Sequence, residues 1–177
     1  NDGASLARGD YLVFLNNDTF PQPGWLEALL DTFGTRPDTG LVGAQLVYPD
    51  GRLQEAGGVV FDDGSAWNYG RFESPEDPRY ASLREVDYCS GAAIMVSTAL
   101  FRDLGGFDAR YAPAYCEDTD LAFAVRARGL RVLYQPAARV VHLEGITAGT
   151  DTGSGIKAYQ IRNRGLFARK WAEALIG

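Results

Sequence analysis

The sequence predicts an α/β fold, a mixed sheet with helices layered on it. Three observations carry that class. Apolar runs rich in β-formers recur along the chain, segments with apolar residues at helical spacing alternate with them, and Gly, Pro and Asp-Gly signals mark the boundaries. The opening residues, Asn1 to Asp10, read as the tail of a helix that stops at Gly9. Tyr11-Leu12-Val13-Phe14-Leu15 follows as an unbroken apolar run, the pattern of a strand covered on both faces. It ends on Asn16, Asn17 and Asp18.

Gly24 to Phe33 places Trp25, Leu26, Leu29, Leu30 and Phe33 on one helical face, and Gly34 and Pro37 close that helix. Leu41 to Tyr48 is a second strand, followed by the turn signal Pro49-Asp50-Gly51-Arg52. Gly57 to Phe61 is a third, shorter one. Asp62 to Glu85 has no clear period, and its Trp67, Tyr69, Phe72 and Tyr80 argue against simple disorder. Val86 to Val96 reads as a buried strand interrupted by the small residues Ser90-Gly91-Ala92. Ser97 is placed to cap a short helix that Gly105-Gly106 ends. Glu117 to Arg128 is a helix with Leu121, Ala124 and Val125 inward, and Gly129 stops it. Arg131 to Tyr134 and Ala138 to His142 are two strands around Pro136. Gly145 to Gly155 is rich in Gly and Thr and is expected as a flexible loop. Ile156 to Leu175 is a helix carrying Tyr159, Phe167, Trp171 and Leu175.

With 177 residues, 46% of them apolar, the chain can build one sizeable core. A net charge of −6 disfavours nucleic acid and anionic membrane as partners, since both need clustered Lys and Arg. No apolar run reaches the length of a membrane span. Cys89 and Cys116 match no metal spacing and are expected as buried thiols in a reducing, cytoplasmic setting. The chain opens on Asn1 in mid-helix, and its only methionine is Met95. It is therefore expected to be the later part of a larger domain, with a core over 1–142, a loop over 143–155 and a helix over 156–177.

Chemistry-bearing residues gather at three places, each at a strand end or a helix start. Asn16-Asn17-Asp18 lies where ligands collect in open α/β sheets, and its oxygens suit a hard cation; a turn or helix lead-in is the plainer alternative. Glu117, Asp118 and Asp120 open a helix, where capping accounts for some acidity but not for three carboxylates in four residues. Asp120 falls on a different side of that helix from Asp118, so structural and chemical roles can divide between them. His142, the only histidine, ends a strand, where a structural role and a metal or phosphate contact both remain open.

Taken in order, "ARGDYLVFLNNDTFPQPGWLEALL" and "GGFDARYAPAYCEDTDLAFAVRARGLRVLYQPAARVVH" resemble the family 2 glycosyltransferases of GT-A fold, and the resemblance continues into "RNRGLFARKW". It implies a GT-A-type (nucleotide-diphospho-sugar transferase) mixed sheet with flanking helices, lacking the N-terminal nucleotide-binding strands. The implied activity is transfer of a sugar from a nucleotide-diphosphate sugar donor to a glycan or lipid-linked acceptor in cell-envelope polysaccharide synthesis, with inversion. The implied cofactor is Mn2+ or Mg2+, held by Asp18 with His142. Asn16, where the family carries Asp, and Asn17 turn to the donor. Ser90, Gly91 and Ala92 line the donor sugar. Asp118 is the implied base, with Glu117 beside it. Arg126 matches a helix arginine expected to make an ion pair or touch substrate, and Asp108 fixes its loop. Trp67, Tyr69 and Phe72 either stack on sugar rings or anchor their own loop. Cytoplasmic localisation with a peripheral place at the inner face of the membrane as an option, inactivity without the preceding portion, and self-association through a sheet edge at Tyr11–Leu15 or its neighbour are further expectations. A nucleotidyltransferase and a non-catalytic carbohydrate-binding or assembly module are the competing classes.

Overall fold

The computed structural model describes residues 1–143 and 158–176; the loop expected over Gly145–Gly155 lies outside them. A seven-stranded mixed sheet runs through the molecule. Its main path joins β1 (Tyr11–Leu15), β8 (Ala93–Ser97), β3 (Thr39–Val47), β9 (Arg131–His142) and β2 (Thr19–Pro21), in that order. Two short strands extend it: β4 (Leu53–Glu55) on β3 and β7 (Arg84–Glu85) on β9. A separate hairpin pairs β5 (Gly58–Val60) with β6 (Ala66–Asn68). The fold class is as the sequence predicts.

The centre is β3, all nine residues of which are buried, lying parallel to β9 and antiparallel to β8. Its Gly43 carries no side chain for a packing reason: a Cβ there would stand 2.2 Å from that of Cys89. On one face, α2 (Trp25–Thr35) sets Leu29 against Val42, Ala44, Met95 and Val140. On the other, α4 (Glu117–Arg126) sets Leu121, Ala122 and Val125 against Leu41, Ile94, Val96 and Val132. The sheet is thus covered on both faces over its middle strands, as apolar runs of this kind require. Behind α4, α5 (Ala158–Lys170) and α6 (Ala172–Leu175) pack Phe167 onto Tyr111 and Phe123. At the chain start, α1 (Asp2–Leu6) is helical as expected but ends three residues before Gly9, with Ala7 already extended. Ser97 caps α3 (Thr98–Asp103), its hydroxyl accepting from the Leu100 N–H at 3.1 Å.

Several elements differ from the sequence expectation. β1 is an edge strand, with Leu12 buried but Tyr11, Val13 and Leu15 each 36–42% exposed. Leu26 and Leu30 on α2 are likewise exposed, so the helix buries a narrower stripe than its spacing suggests. The two strands around Pro136 are one strand. Proline has no N–H for the ladder, and β9 absorbs it as an irregularity: its register with β3 jumps from Ala44↔Gln135 to Gln45↔Arg139. Val86–Val96 is strand only from Ala93 onward. Asp62–Glu85 holds β6, β7 and a 3₁₀ turn, Pro78–Tyr80. The C-terminal helix breaks at Trp171 into α5 and α6. Of the two free thiols, Cys89 is buried and Cys116 only partly so.

Candidate active site

Asp18 and His142 stand side by side because β2 folds back along the end of β9. Thr19 pairs with His142, and the Leu143 N–H donates to the Asp18 carbonyl at 2.9 Å. The Asp18 Oδ1 then lies 3.2 Å from the His142 Nε2, both side chains being only 12–13% exposed. The Asn16 side-chain nitrogen is 3.5 Å from the same ring atom, and the His142 Nδ1 is 2.8 Å from the Gln54 Oε1. Asn17 is exposed. The pair has the spacing of cation ligands, since neighbouring ligands of an octahedral ion with bonds of about 2.1 Å stand about 3 Å apart. No group of three or more His, Cys, Asp or Glu side chains is placed to hold a metal ion among the described residues. Two protein ligands, with remaining positions left to phosphate and water, is the pattern of Mg2+-type sites that escort phosphates. The residues present fit such an ion.

The turn Ser90-Gly91-Ala92 joins this locus to the acidic helix start. The Ala92 carbonyl accepts from the Asn16 N–H at 3.0 Å. The Gly91 N–H donates to the Asp118 Oδ2 at 2.9 Å, and the Ser90 N–H to the Glu55 Oε1 at 2.8 Å. The other Asp118 oxygen accepts from the Thr119 N–H at 2.7 Å and the Thr119 hydroxyl at 3.3 Å. Glu117 is held differently. Burial, and then the charge of Asp118, push its carboxyl up to about 7. Its Oε2 is buried with no hydrogen-bond partner among the described residues.

The backbone entering α4 is constrained. Tyr115 and Cys116 both have positive φ, at 76° and 70°, which side chains larger than glycine rarely adopt. Asn163, fully buried in α5, holds the segment just before them. Its Nδ2 reaches the carbonyls of Tyr111, Ala114 and Tyr115 at 2.7–3.0 Å. Asp120 faces away from Asp118. Its buried carboxylate accepts from the Tyr111 hydroxyl at 3.0 Å, the Trp171 Nε1 at 2.7 Å and the Lys170 Nζ at 2.8 Å, so it ties the C-terminal helices to α4.

Of the residues singled out in the sequence, Asn16, Asp18, Ser90, Gly91, Ala92, Glu117, Asp118 and His142 are brought together through this turn. Arg126 instead pairs with Asp87 at 3.2 Å, the ion-pair alternative. Trp67 is 57% exposed on β6. Tyr69 packs against Tyr80, and Phe72 stacks on Tyr48 with Arg52 and Arg71 over its ring, as loop anchors do. Asp108 caps the turn Ala109–Tyr111 and pairs with Arg110 and Lys170, which fixes its loop and holds its carboxyl well below the ordinary range. Gln54, Glu55 and Asn163 carried no sequence signal of their own; Gln54-Glu55, a polar pair between Leu53 and Ala56, was the nearest hint.

The model of the family described as Glycosyl transferase family 2 matches residues 1–104. The chain belongs to this family. O-antigen biosynthesis protein RfbC of Myxococcus xanthus is 33% identical over 159 residues, covering 85% of the chain and 12% of that relative. N-acetylglucosaminyl-diphospho-decaprenol L-rhamnosyltransferase of Mycobacterium tuberculosis is 29% identical over 161 residues, covering 85% of the chain and 52% of the relative. The chain therefore spans about half or less of the curated relatives it matches first. A crystal structure of GalNAc-T7 with UDP, GalNAc and Mn2+ superposes with a TM-score of 0.69 at 16% identity, over 96% of this chain and 33% of the other. That likeness establishes the GT-A fold. No helix among the described residues is long and apolar enough to cross a membrane.

Proposed function

We propose that this chain carries the cation-binding and acceptor-activating part of an inverting glycosyltransferase that uses a nucleoside diphosphate sugar and a glycan or lipid-linked acceptor. The observation that supports it best is the turn Ser90–Ala92, which bonds the Asp118 carboxylate at Gly91 and, at Ala92, the backbone of Asn16, whose side chain neighbours the His142 ring paired with Asp18. Asp18 and His142 would hold Mn2+ or Mg2+, which when bound offsets charge on the leaving diphosphate. Asn16 and Asn17 would meet the donor beside it, and the 90–92 backbone its sugar.

Asp118 is the base of this reading. The Gly91 and Thr119 N–H groups fix the plane of its carboxylate and leave lone pairs to take the acceptor hydroxyl's proton. As that proton leaves, the acceptor oxygen bonds to the anomeric carbon from the face opposite the diphosphate. The bond from carbon to diphosphate oxygen breaks, and the centre inverts. Glu117, kept protonated to higher pH than a free carboxyl, limits charge repulsion beside the base. Trp67 on β6 offers an exposed ring for an acceptor sugar. The edge position of β1, with its exposed apolar residues, supports self-association through that edge; light scattering that shows a monomer at high concentration would count against it.

The test is calorimetric titration of UDP and dTDP, with and without Mn2+, into the chain and its Asp18→Ala form. Metal-dependent binding abolished by Asp18→Ala is expected. Asp118→Ala should abolish sugar transfer by the protein. Transfer that survives Asp118→Ala would refute the assignment of the base.

A further inference from the structure

We infer that Gln54 is a positioning residue that selects the tautomer of His142, holding the ring proton on Nδ1 and leaving the Nε2 lone pair for a cation beside Asp18. The inference rests on the cation locus proposed above and adds to it a residue that ligates nothing itself.

The geometry is specific. The Gln54 Oε1 lies 2.8 Å from the His142 Nδ1, and an amide oxygen only accepts, so with the amide in this orientation the ring carries its proton on that nitrogen. The other ring nitrogen meets the amide nitrogen of Asn16 at 3.5 Å, a donor that wants a lone pair opposite it. It also meets the Asp18 Oδ1 at 3.2 Å. With the proton on Nδ1, two lone-pair atoms face each other across that gap, and such a pair is at rest only with positive charge between them. The reverse tautomer would set a lone pair on Nδ1 against the lone pairs of the Gln54 oxygen.

The support is rigid and dry. Gln54 is 2% exposed, so water does not compete for the ring N–H. It sits in β4, whose pairing with β3 runs Leu46↔Glu55 and Val47↔Leu53, so the amide is carried on the sheet rather than on a loop. Metal-bound imidazoles commonly donate their second N–H to a fixed acceptor, which sets ring orientation and basicity, and losing that acceptor typically costs about 10–100-fold in metal affinity. The neighbouring Glu55 supports the site in the same way, through the Ser90 N–H.

His142 is the only histidine, so a ¹⁵N spectrum of the labelled full chain contains one imidazole. At a pH where the ring is neutral, the wild type should show a protonated Nδ1 and an unprotonated Nε2. Gln54→Leu should move population to the Nε2–H tautomer and weaken Mn2+ binding, read by paramagnetic resonance of the free ion, by about 10–100-fold. Gln54→Glu, which keeps an acceptor, should retain both the tautomer and most of the affinity. An Nε2–H tautomer in the wild type would overturn the inference without any variant. So would a folded Gln54→Leu chain that binds Mn2+ as the wild type does. An Asp18→Ala chain that binds Mn2+ as tightly as the wild type would overturn the cation locus instead, whatever the tautomer.

Discussion

Replacing Asp120 by Ala should cost the fold about 2–6 kcal/mol. The carboxylate is 4% exposed and accepts from three donors on two separate segments. Its removal strands the Tyr111 hydroxyl, on a residue 1% exposed, and the Trp171 indole N–H, each at about 1–3 kcal/mol for a buried donor without a partner. Lys170 adds little, because its side chain is 26% exposed and Asp108 remains 3.0 Å away. Trp171 is only partly buried and can recover some hydration, which places the expectation near the middle of that range. Single domains hold about 5–15 kcal/mol in all, so the change is large. Urea unfolding followed by tryptophan fluorescence and far-ultraviolet dichroism would measure it, and Asp120→Asn, keeping one acceptor oxygen, should fall between. A midpoint for Asp120→Ala within about 0.5 kcal/mol of the wild type would refute the idea that this carboxylate fastens the C-terminal helices.

Glu117 predicts a pH dependence. Its folded-state pKa stands above that of an unfolded glutamate, so between 4.5 and about 7 the folded chain binds the extra proton. Its contribution to stability is present below that window and lost as pH rises through it. Glu117→Gln should flatten the decline, and parallel curves for the two proteins would contradict the assignment. Asn163→Ala should leave the Tyr111, Ala114 and Tyr115 carbonyls without their side-chain donor, cost about 1–3 kcal/mol and speed amide exchange over 111–116. Unchanged exchange there would show that the segment holds itself. Gly43→Ala should lower the melting temperature through a loss of about 1–3 kcal/mol, and Cys89→Ala should relieve it only in part, because the added Cβ overlaps the Cys89 Cβ as well as its sulfur. Full recovery in the double variant would mean that the sulfur, not the backbone spacing, sets the limit.

Much of the architecture is legible in the chain because it is local. The β3 run, the Ser97 cap and the turning of Asp118 and Asp120 to different partners follow from period, capping chemistry and the 100° step of a helix. The misreadings share a cause, which is that pairing partners lie far away in sequence. An apolar run such as Tyr11–Leu15 does not reveal whether a neighbour covers one side or both, and here three of its five residues stay exposed. Pro136 looks like a boundary, yet a long parallel neighbour lets β9 continue through it as a bulge. The supporting residues were least visible of all. Asn163 meets its acceptors across 48–52 residues, and Gln54 meets His142 across 88. Polar side chains in short segments look solvated until the fold buries them.

The turn Ser90–Ala92 has a consequence for what kinds of change the site tolerates. Three successive residues hold Glu55, Asp118 and Asn16, Ser90 and Gly91 through their N–H groups and Ala92 through its carbonyl, and consecutive Cα atoms across trans peptides are fixed at about 3.8 Å. The turn is therefore a ruler graduated in bond lengths, and the interval between the Asn16 and Asp118 attachments is read off it. Exchanging Ser90 or Ala92 for another small residue leaves the graduations where they are. Inserting or deleting a single residue there shifts one end of the ruler by a whole division, about 3.8 Å.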